Sequence, residues 1–179
     1  MIVLRSALFN ILFYAYTALT AFCMVPLLLR PDADVRPGVR RWARGILWLL
    51  DHVVGITYEL RGLEFIPEGP ALVAAKHQSA WDTITFHLFM AAPAYVLKKE
   101  LTHIPLYGTF TQLAGSIVVD RDAGARAIKG LVRDCRASLE AGHQVVIFPE
   151  GTRTAPGTRH LYQPGIAALY RQLGVAVVP

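Results

Sequence analysis

The feature that most restricts the fold of this chain is the stretch of residues 6–29, which carries no charged side chain. A helix rises about 1.5 Å per residue, so a helix over this stretch is long enough to cross a hydrocarbon layer roughly 30 Å thick. Arg5 precedes the stretch, whereas several arginines follow it within residues 30–44. Because positive charge is retained on the cytoplasmic side of a membrane, this asymmetry predicts that the downstream chain faces the cytoplasm.

A second amphipathic stretch lies at residues 39–54, where arginines alternate with Trp42, Trp48 and aliphatic residues. This pattern predicts a helix at the level of the lipid headgroups, and a helix that packs on a protein core is the alternative. The residues between the two stretches, 30–38, predict a turn. We therefore expect a membrane-anchoring helix pair over residues 1–54, which either spans the bilayer or bends back as a hairpin in one leaflet.

A cleaved signal peptide is the other interpretation of residues 6–29. The apolar stretch is longer than the core of a typical signal peptide, and it ends without a clear small-residue cleavage site. These two features favour a retained anchor.

The composition limits the partners of the chain. It has 179 residues, 54% of them hydrophobic, a net charge of +5 and a mean hydropathy of +0.38. A basic balance fits nucleic acid, anionic lipid or a polyanionic substrate, but no run of Lys or Arg exceeds two residues and no nucleic-acid-binding motif is present, so we expect no nucleic-acid partner. The two cysteines, Cys23 and Cys135, lie in dissimilar segments, which is typical of a reducing compartment. The six histidines form no metal-binding pattern, so we predict no metal site.

Residues 55–179 alternate between predicted strands and helices. The predicted strands cover residues 56–60, 72–75, 95–97, 116–119, 145–148 and 175–178. The predicted helices cover residues 80–90, 123–141 and 166–173, with a loop and helix at 104–113. Short apolar strands separated by helices predict an α/β domain with a mainly parallel or mixed sheet flanked by helices.

A candidate catalytic pair follows the predicted strand at 72–75. His77 and Asp82 belong to the run H-Q-S-A-W-D at residues 77–82. Positions five apart on a helix diverge by about 140°, so the pair can meet only if His77 lies on a loop and Asp82 in the first helical turn, with Ser79 as the N-cap. An imidazole can then take a proton from an alcohol while the carboxylate fixes its tautomer. No G-x-S-x-G motif is present, so the alcohol is expected to be the substrate's own. Taken singly, Asp82 also fits a helix-start carboxylate and His77 a loop histidine.

A candidate anion site lies at residues 148–153, F-P-E-G-T-R. Gly151 allows close approach of the backbone to a ligand, Arg153 offers a planar guanidinium that matches phosphate oxygens, and Thr152 adds a hydroxyl. Glu150 can hold the loop or the arginine. The alternative is a surface turn in which Arg153 pairs with Glu150.

Further basic residues follow two other predicted strands, Lys98 and Lys99 after one and Arg121 after the next. Each alone fits a solvated charge at a strand end. Basic residues at three strand exits make an anion site the better interpretation.

Taken together, these blocks resemble the glycerolipid acyltransferases of the 1-acylglycerol-3-phosphate O-acyltransferase (lysophosphatidic acid acyltransferase) family. Residues 77–82 resemble the first family motif, N-H-x-x-x-x-D, with Lys76 in place of the common Asn. G-S-I-V-V-D-R at 115–121, F-P-E-G-T-R at 148–153 and V-V-P at 177–179 resemble the next three motifs in order. K-K-E-L at 98–101 and I-P at 104–105 resemble the stretch between the first two. The resemblance runs from about residue 56 to the end.

The sequence departs from the family pattern at a few positions besides Lys76. Q-P-G stands at residues 163–165 where many members carry a lysine before the glycine. The chain stops inside the fourth motif, so the acyltransferase domain at 55–179 is expected to be truncated at its C-terminus.

The resemblance implies transfer of a fatty acyl group from acyl-CoA or acyl-carrier protein to the sn-2 hydroxyl of 1-acyl-glycerol-3-phosphate, without a cofactor. It implies that His77 is the base, that Asp82 orients it, and that backbone N–H groups near the helix start stabilise the oxyanion. The residues implied to hold the acceptor phosphate are Arg153, Gly151, Thr152, Glu150, Lys98 and Arg121. The expected partners are the bilayer, lysophosphatidic acid and the acyl donor.

Other functions remain open from the sequence. One is acyl transfer to a lyso-ornithine lipid or to a lysophospholipid with a larger headgroup. A second is a non-catalytic membrane module that binds anionic lipid. A third is a secreted hydrolase with a cleaved N-terminus.

Overall fold

The computed structural model describes residues 1–30 and 32–179, and the chain forms two compact units, Met1–Leu63 and Glu64–Pro179. The division expected between residues 54 and 55 therefore falls inside the first unit. There the chain stays close to the preceding helix end, because Gly55 donates its N–H to Asp51 and Ile56 donates to Leu50.

The first unit is a pair of antiparallel helices. Helix α1 is Ile2–Met24 and continues as a 3-10 helix, Val25–Leu29; helix α2 is Arg36–Leu49 and continues as a π-helical turn, Leu50–Val54. Cross-helix hydrogen bonds join Tyr16 to the Arg41 carbonyl at 3.1 Å and the Trp42 indole to Thr17 at 3.0 Å. The predicted turn at 30–38 includes Pro31, which lies outside the described residues, and α2 begins within that range.

The helix over Ile2–Leu29 is the one helix of the described chain that is long and apolar enough to cross a membrane, and only 6% of its apolar window is buried. Apolar surface of that extent is costly in water, which fits association with a membrane. Whether the helix spans the bilayer or lies in one leaflet stays a prediction.

The second unit contains a five-stranded parallel sheet of order β3-β2-β4-β1-β5. Its strands are β1 (Ala71–Ala74), β2 (Pro93–Lys98), β3 (Ile117–Val119), β4 (Gln144–Ile147) and β5 (Val177–Val178). The α/β class is confirmed, and every pairing is parallel. β1 and β4 are neighbours although β2 and β3 lie between them in sequence.

Helices cover both faces of this sheet. They are α3 (Trp81–Phe89), α4 (Tyr107–Leu113), α5 (Ala125–Glu140) and α6 (Pro164–Leu173). Side chains of a strand alternate between faces, so Leu72 and Val145 pack with Leu131 of α5 and Leu169 of α6. Val73 and Val146 lie on the opposite face, where they pack with Phe86 of α3 and with Met90, the C-cap of that helix.

One predicted strand, residues 56–60, is wrong. These residues form no strand, and Ile56 and Leu60 are 51% and 36% exposed. Alternation of apolar and polar residues predicts a half-buried strand only where a neighbouring strand pairs with it, and this segment has none within the described chain.

The parallel arrangement decides where the functional residues lie. The carboxyl ends of β1, β2, β3 and β4 lie at the same edge of the sheet, and ligands of such folds bind at this edge. Two short 3-10 helices, Lys99–His103 and Arg121–Ala123, follow β2 and β3 at that edge, and a third, Leu63–Phe65, begins at the last residue of the first unit.

Candidate active site

His77 and Asp82 are in contact at the carboxyl end of β1. The distance between His77 Nδ1 and Asp82 Oδ2 is 3.1 Å, and the two side chains are only 15% and 16% exposed. His77 lies on the loop after β1, whereas Asp82 is the second residue of α3. The structure thus brings together the pair that the sequence spacing singles out.

The start of α3 holds the carboxylate in place. Asp82 Oδ2 also accepts hydrogen bonds from the backbone N–H of Gln78 at 2.6 Å and of Ser79 at 2.8 Å, while Ser79 Oγ accepts one from Trp81 N at 3.1 Å. This reciprocal pattern is that of a capping box, although the helix begins one residue later than predicted, with Ala80 as the N-cap. The N–H groups of Gln78 and Ser79 are therefore occupied by Asp82, so an oxyanion would need other backbone donors near the start of α3.

The imidazole of His77 is fixed on a second side by Phe148, whose ring stacks on it with the centroids 4.2 Å apart. A neutral ring that donates Nδ1–H to Asp82 presents Nε2 as its acceptor, and Nε2 forms no hydrogen bond within the described part of the chain. The arrangement can accept a proton at Nε2 and stabilise the resulting cation through Asp82. Sequence analysis missed Phe148 as a partner of His77, although strand alternation places it on the same sheet face as Val146.

The turn at Gly151 brings a second strand exit to this edge. Gly151 has a φ of +71°, and a Cβ there would lie 2.9 Å from Gln163 Cγ, so only glycine fits without strain. Its carbonyl accepts a hydrogen bond from Arg121 Nη1 at 2.5 Å. The structure therefore brings Arg121, which follows β3, to the predicted anion-binding turn.

Glu150 points into the fold. It is 5% exposed, and its Oε1 lies 2.8 Å from Lys76 Nζ, while its Oε2 accepts a hydrogen bond from Thr154 Oγ1 at 3.0 Å. The Lys76 ammonium holds the pKa of Glu150 below its usual value. The alternative in which Glu150 pairs with Arg153 is wrong, because the carboxylate holds the loop through Lys76 and Thr154. Neither Lys76 nor Thr154 was predicted from the sequence as a partner of Glu150.

The loop after β4 also touches the backbone of the catalytic loop. The N–H of Thr154 donates to the carbonyl of His77 at 2.8 Å. Arg153 therefore precedes a residue that is in direct contact with His77. Arg153 and Thr152 are exposed and form no hydrogen bond or ion pair within the residues that the structure describes.

The two predicted lysines have partners of their own. Lys98 pairs with Glu100 at 2.9 Å, and Lys99 pairs with Asp120 at 2.8 Å, all of them on exposed surface. The structure thus places Lys98 at the same sheet edge but in contact with Glu100, not with the Gly151 turn. Exposed pairs of this kind are weak, so Lys98 can exchange its partner for an anion.

Two further observations bear on the chemistry. Among residues 1–30 and 32–179, no group of three or more His, Cys, Asp or Glu side chains is placed to hold a metal ion. Burial raises the pKa of the Cys135 thiol to about 12, which makes it a poor nucleophile.

The fold and the site define an α/β protein that carries a His–Asp pair and a basic turn at the carboxyl edge of a parallel sheet. The sequence model of the family described as Acyltransferase matches residues 57–179. The chain belongs to this acyltransferase family.

Similar proteins carry related names. A 1-acyl-sn-glycerol-3-phosphate acyltransferase of Pseudomonas aeruginosa is 37% identical over 180 residues, which cover 97% of this chain and 70% of that protein. A lyso-ornithine lipid O-acyltransferase of the same organism is 31% identical over 150 residues, 83% of this chain and 56% of that protein. The human 1-acyl-sn-glycerol-3-phosphate acyltransferase alpha is 30% identical over 138 residues, 76% of this chain and 49% of that protein. The chain thus spans about half the length of the latter two relatives.

A solved structure shares the fold. The crystal structure of the 1-acyl-sn-glycerophosphate (LPA) acyltransferase PlsC from Thermotoga maritima superposes with a TM-score of 0.77 at 22% sequence identity. The match covers 100% of this chain and 74% of that chain.

Proposed function

We propose that this protein transfers a fatty acyl group from a thioester, acyl-CoA or acyl-carrier protein, to the sn-2 hydroxyl of 1-acyl-glycerol-3-phosphate, giving phosphatidic acid for phospholipid synthesis. The observation that carries the proposal is the contact between His77 Nδ1 and Asp82 Oδ2, which leaves Nε2 as a proton acceptor. The 37% identity to a protein named for this reaction, over 97% of the chain, supports it.

The proposed reaction begins at His77. Nε2 removes the proton of the sn-2 hydroxyl as its oxygen attacks the carbonyl carbon of the thioester. Asp82 stabilises the imidazolium, whose charge it balances at 3.1 Å. When the tetrahedral intermediate collapses, the C–S bond breaks, and the imidazolium returns the proton to the leaving thiolate. The products are the acylated lipid and a free thiol, and the enzyme returns to its starting state.

The acceptor phosphate is held at the Gly151 turn. Arg153 and Thr152 are exposed there and carry donors that phosphate oxygens can accept. Arg121 supports the turn through the Gly151 carbonyl, and its guanidinium has further N–H groups for the same anion. Glu150 acts as an internal support of this turn, and Lys98 is a second, weaker cation at the same edge.

The first unit supplies the membrane setting. Its apolar helix anchors the protein in the bilayer, and the arginines that follow this helix support a catalytic unit on the cytoplasmic side. Single-chain lipids then reach the site from the membrane. General acid–base chemistry and anion binding suffice for the reaction, so the proposal includes neither a cofactor nor a metal.

A second candidate acceptor is a lyso-ornithine lipid, which the 31% identity to a protein of that name favours. This acceptor has no phosphate. The exposed Arg153, which has no partner in the described chain, favours the phosphate-bearing acceptor.

The test is an acyl transfer assay with the membrane-bound protein, which follows release of the thiol and formation of the acylated lipid. His77→Ala is expected to lose activity by roughly 10²–10⁴-fold, whereas the matched control His52→Ala in the first unit keeps it. Equal rates for wild type and His77→Ala would support a non-catalytic lipid-binding module instead.

Competition between the two acceptors separates the candidates. We expect Arg153→Ala to raise the KM for lysophosphatidic acid and to leave the KM for the acyl donor unchanged, with Arg171→Ala as the control. Equal use of a phosphate-free acceptor by the wild-type protein would contradict the role given to Arg153.

The secreted-hydrolase alternative is tested by intact-mass measurement of the membrane-bound protein. The measured mass shows whether residues 6–29 are retained or removed.

A further inference from the structure

The residue before the candidate base has an unexpected partner. Lys76 Nζ lies 2.8 Å from Glu150 Oε1 and donates a second hydrogen bond to the Thr158 carbonyl at 3.0 Å. The two ionic partners are 74 positions apart in sequence. Lys76 therefore joins the loop after β1 to the loop after β4, at the position where the sequence departs from the family pattern.

The environment of the ion pair is asymmetric. The Glu150 side chain is 4% exposed, whereas the Lys76 side chain is 43% exposed. A buried carboxylate is costly without a cation and hydrogen bonds, while the ammonium can be hydrated on its own. The pair therefore stabilises the buried position of Glu150 more than that of Lys76.

Glu150 is connected to the backbone of His77 through one residue. Its Oε2 accepts a hydrogen bond from Thr154 Oγ1 at 3.0 Å, and the N–H of Thr154 donates to the His77 carbonyl at 2.8 Å. The chain at Lys76 and His77 is thus held at two successive residues by the same loop. The side chain of the first is held by Glu150, and the carbonyl of the second is held by Thr154.

We propose that Lys76 is a positioning residue: its ion pair with Glu150 sets the place of His77 relative to the turn that carries Arg153. The proposal rests on the proposed function, in which the acceptor's hydroxyl must reach His77 while its phosphate is bound at that turn. Without the Lys76 ammonium, Glu150 either takes up a proton or moves toward water. Either change disturbs Thr154 and, through it, the carbonyl of His77.

The expected kinetic consequence is a fall in kcat. A displacement of about 1 Å at a reacting group can cost on the order of 10²-fold, whereas a long arginine side chain adapts to a small shift of its phosphate. We expect Lys76→Met to lower kcat by at least about 10-fold and to change the acceptor KM by less than about 3-fold. Lys76→Arg keeps the cation and is expected to restore most of kcat.

A double variant tests whether the two residues act as a unit. Lys76→Met/Glu150→Gln removes both charges, so no buried carboxylate lacks its cation, and the glutamine can still accept a hydrogen bond from Thr154. Its loss of kcat is expected to be smaller than the product of the two single losses. A loss equal to that product would overturn the proposal. If Lys76→Met does not fold, the double variant is compared with Glu150→Gln alone, and a kcat about 10-fold or more below that of Glu150→Gln would overturn the proposal, because Lys76 would then act without its partner.

A measurement without turnover separates this proposal from the proposed function. Diethyl pyrocarbonate modifies neutral imidazoles, and mass spectrometry of the modified peptides gives the rate at His77, with the exposed His52 as the internal reference. We expect Lys76→Met to raise the rate at His77 severalfold and Lys76→Arg to leave it near the wild-type rate. An unchanged rate together with an unchanged kcat would overturn the role of Lys76. If the wild-type protein transfers no acyl group but Lys76→Met still raises the labelling rate at His77, the proposed function alone would be overturned.

Discussion

The ring of His77 lies nearly flat against the ring of Phe148, with the planes inclined by 21°. Phe148 immediately follows β4, and His77 lies on the loop after the neighbouring strand β1. The contact therefore restrains the imidazole across two adjacent strand ends, while Asp82 holds one of its nitrogens. A cation over an aromatic face is stabilised by about 0.5–2 kcal/mol, so the ring can also favour the imidazolium that forms during turnover.

Phe148→Leu is expected to lower kcat by about 2- to 30-fold, because the leucine keeps an apolar side chain at the site but provides no aromatic face. The KM values for donor and acceptor are expected to change less. The control is Phe110→Leu in α4, the same substitution at a buried phenylalanine that forms no ring contact with His77. Steady-state rates and thermal unfolding of both variants make the comparison, and equal losses of kcat would contradict the role of the stacking.

Asp82→Asn tests the charge of the second member of the pair. The amide keeps the size of the side chain but cannot balance an imidazolium, so we expect kcat to fall by roughly 10²–10⁴-fold. Asp134→Asn is the control, since Asp134 pairs with Arg133 on the surface of α5. Acyl transfer rates are measured beside the circular dichroism spectrum, and an active, folded Asp82→Asn protein would exclude the proposed mechanism.

The sequence predicted much of the second unit because its signals are local. The runs at β1 and β4 are short and, apart from Gln144, apolar, and both are buried by helices on the two faces of the sheet. The contact of His77 with Asp82 was also predictable, because its spacing of five residues can be judged from loop and helix geometry alone. The strand expected at 56–60 failed because a strand also needs a neighbour, which a local pattern does not reveal.

The contacts that hold the catalytic pair in place could not be predicted from local patterns. Lys76 meets Glu150 only because β1 and β4 are adjacent in the sheet, with two other strands between them in sequence. Strand order depends on the packing of the whole unit, and the sequence analysis made no prediction of it. The capping hydrogen bonds of Asp82 were anticipated as a pattern, but their consequence was not. These hydrogen bonds occupy the N–H groups of Gln78 and Ser79, which are therefore not free to bind an oxyanion.

The ion pair between Glu150 and Lys76 is expected to make the stability of the protein depend on pH in the acid range. Because the pKa of Glu150 in the folded protein is below the ordinary value of 4.5, the unfolded chain takes up this proton first as the pH falls. The stabilisation is therefore complete above pH 4.5, and it is lost as the pH falls through the lower pKa that Glu150 has in the folded protein. We expect the Tm of the wild type to exceed that of Glu150→Gln at pH 7, and the difference to shrink below pH 4.5.

Thermal unfolding of the two proteins between about pH 7 and pH 3 measures this difference, across the range in which carboxyl groups titrate. Glu140→Gln, at the exposed end of α5, is the control and is expected to show little dependence on pH relative to the wild type. A Tm difference that stays constant over the whole range would show that the charge of Glu150 does not contribute.

Two glycines in helices of the second unit are expected to respond in opposite directions to replacement by alanine. At Gly108 in α4, an added Cβ would lie 2.0 Å from the backbone carbonyl oxygen of Thr102. Backbone cannot rotate away as a side chain does, so Gly108→Ala is expected to cost about 1–3 kcal/mol or more. At Gly130 in α5, no atom lies within 4 Å of the added Cβ, so Gly130→Ala is expected to stabilise the helix by about 0.5–1 kcal/mol. Since 1 kcal/mol shifts the Tm of a protein of this size by roughly 2–4 °C, thermal unfolding resolves both changes. An unchanged Tm for Gly108→Ala would contradict the close packing of the 3-10 helix Lys99–His103 against α4, and a fall in Tm for Gly130→Ala would contradict the open space at that position.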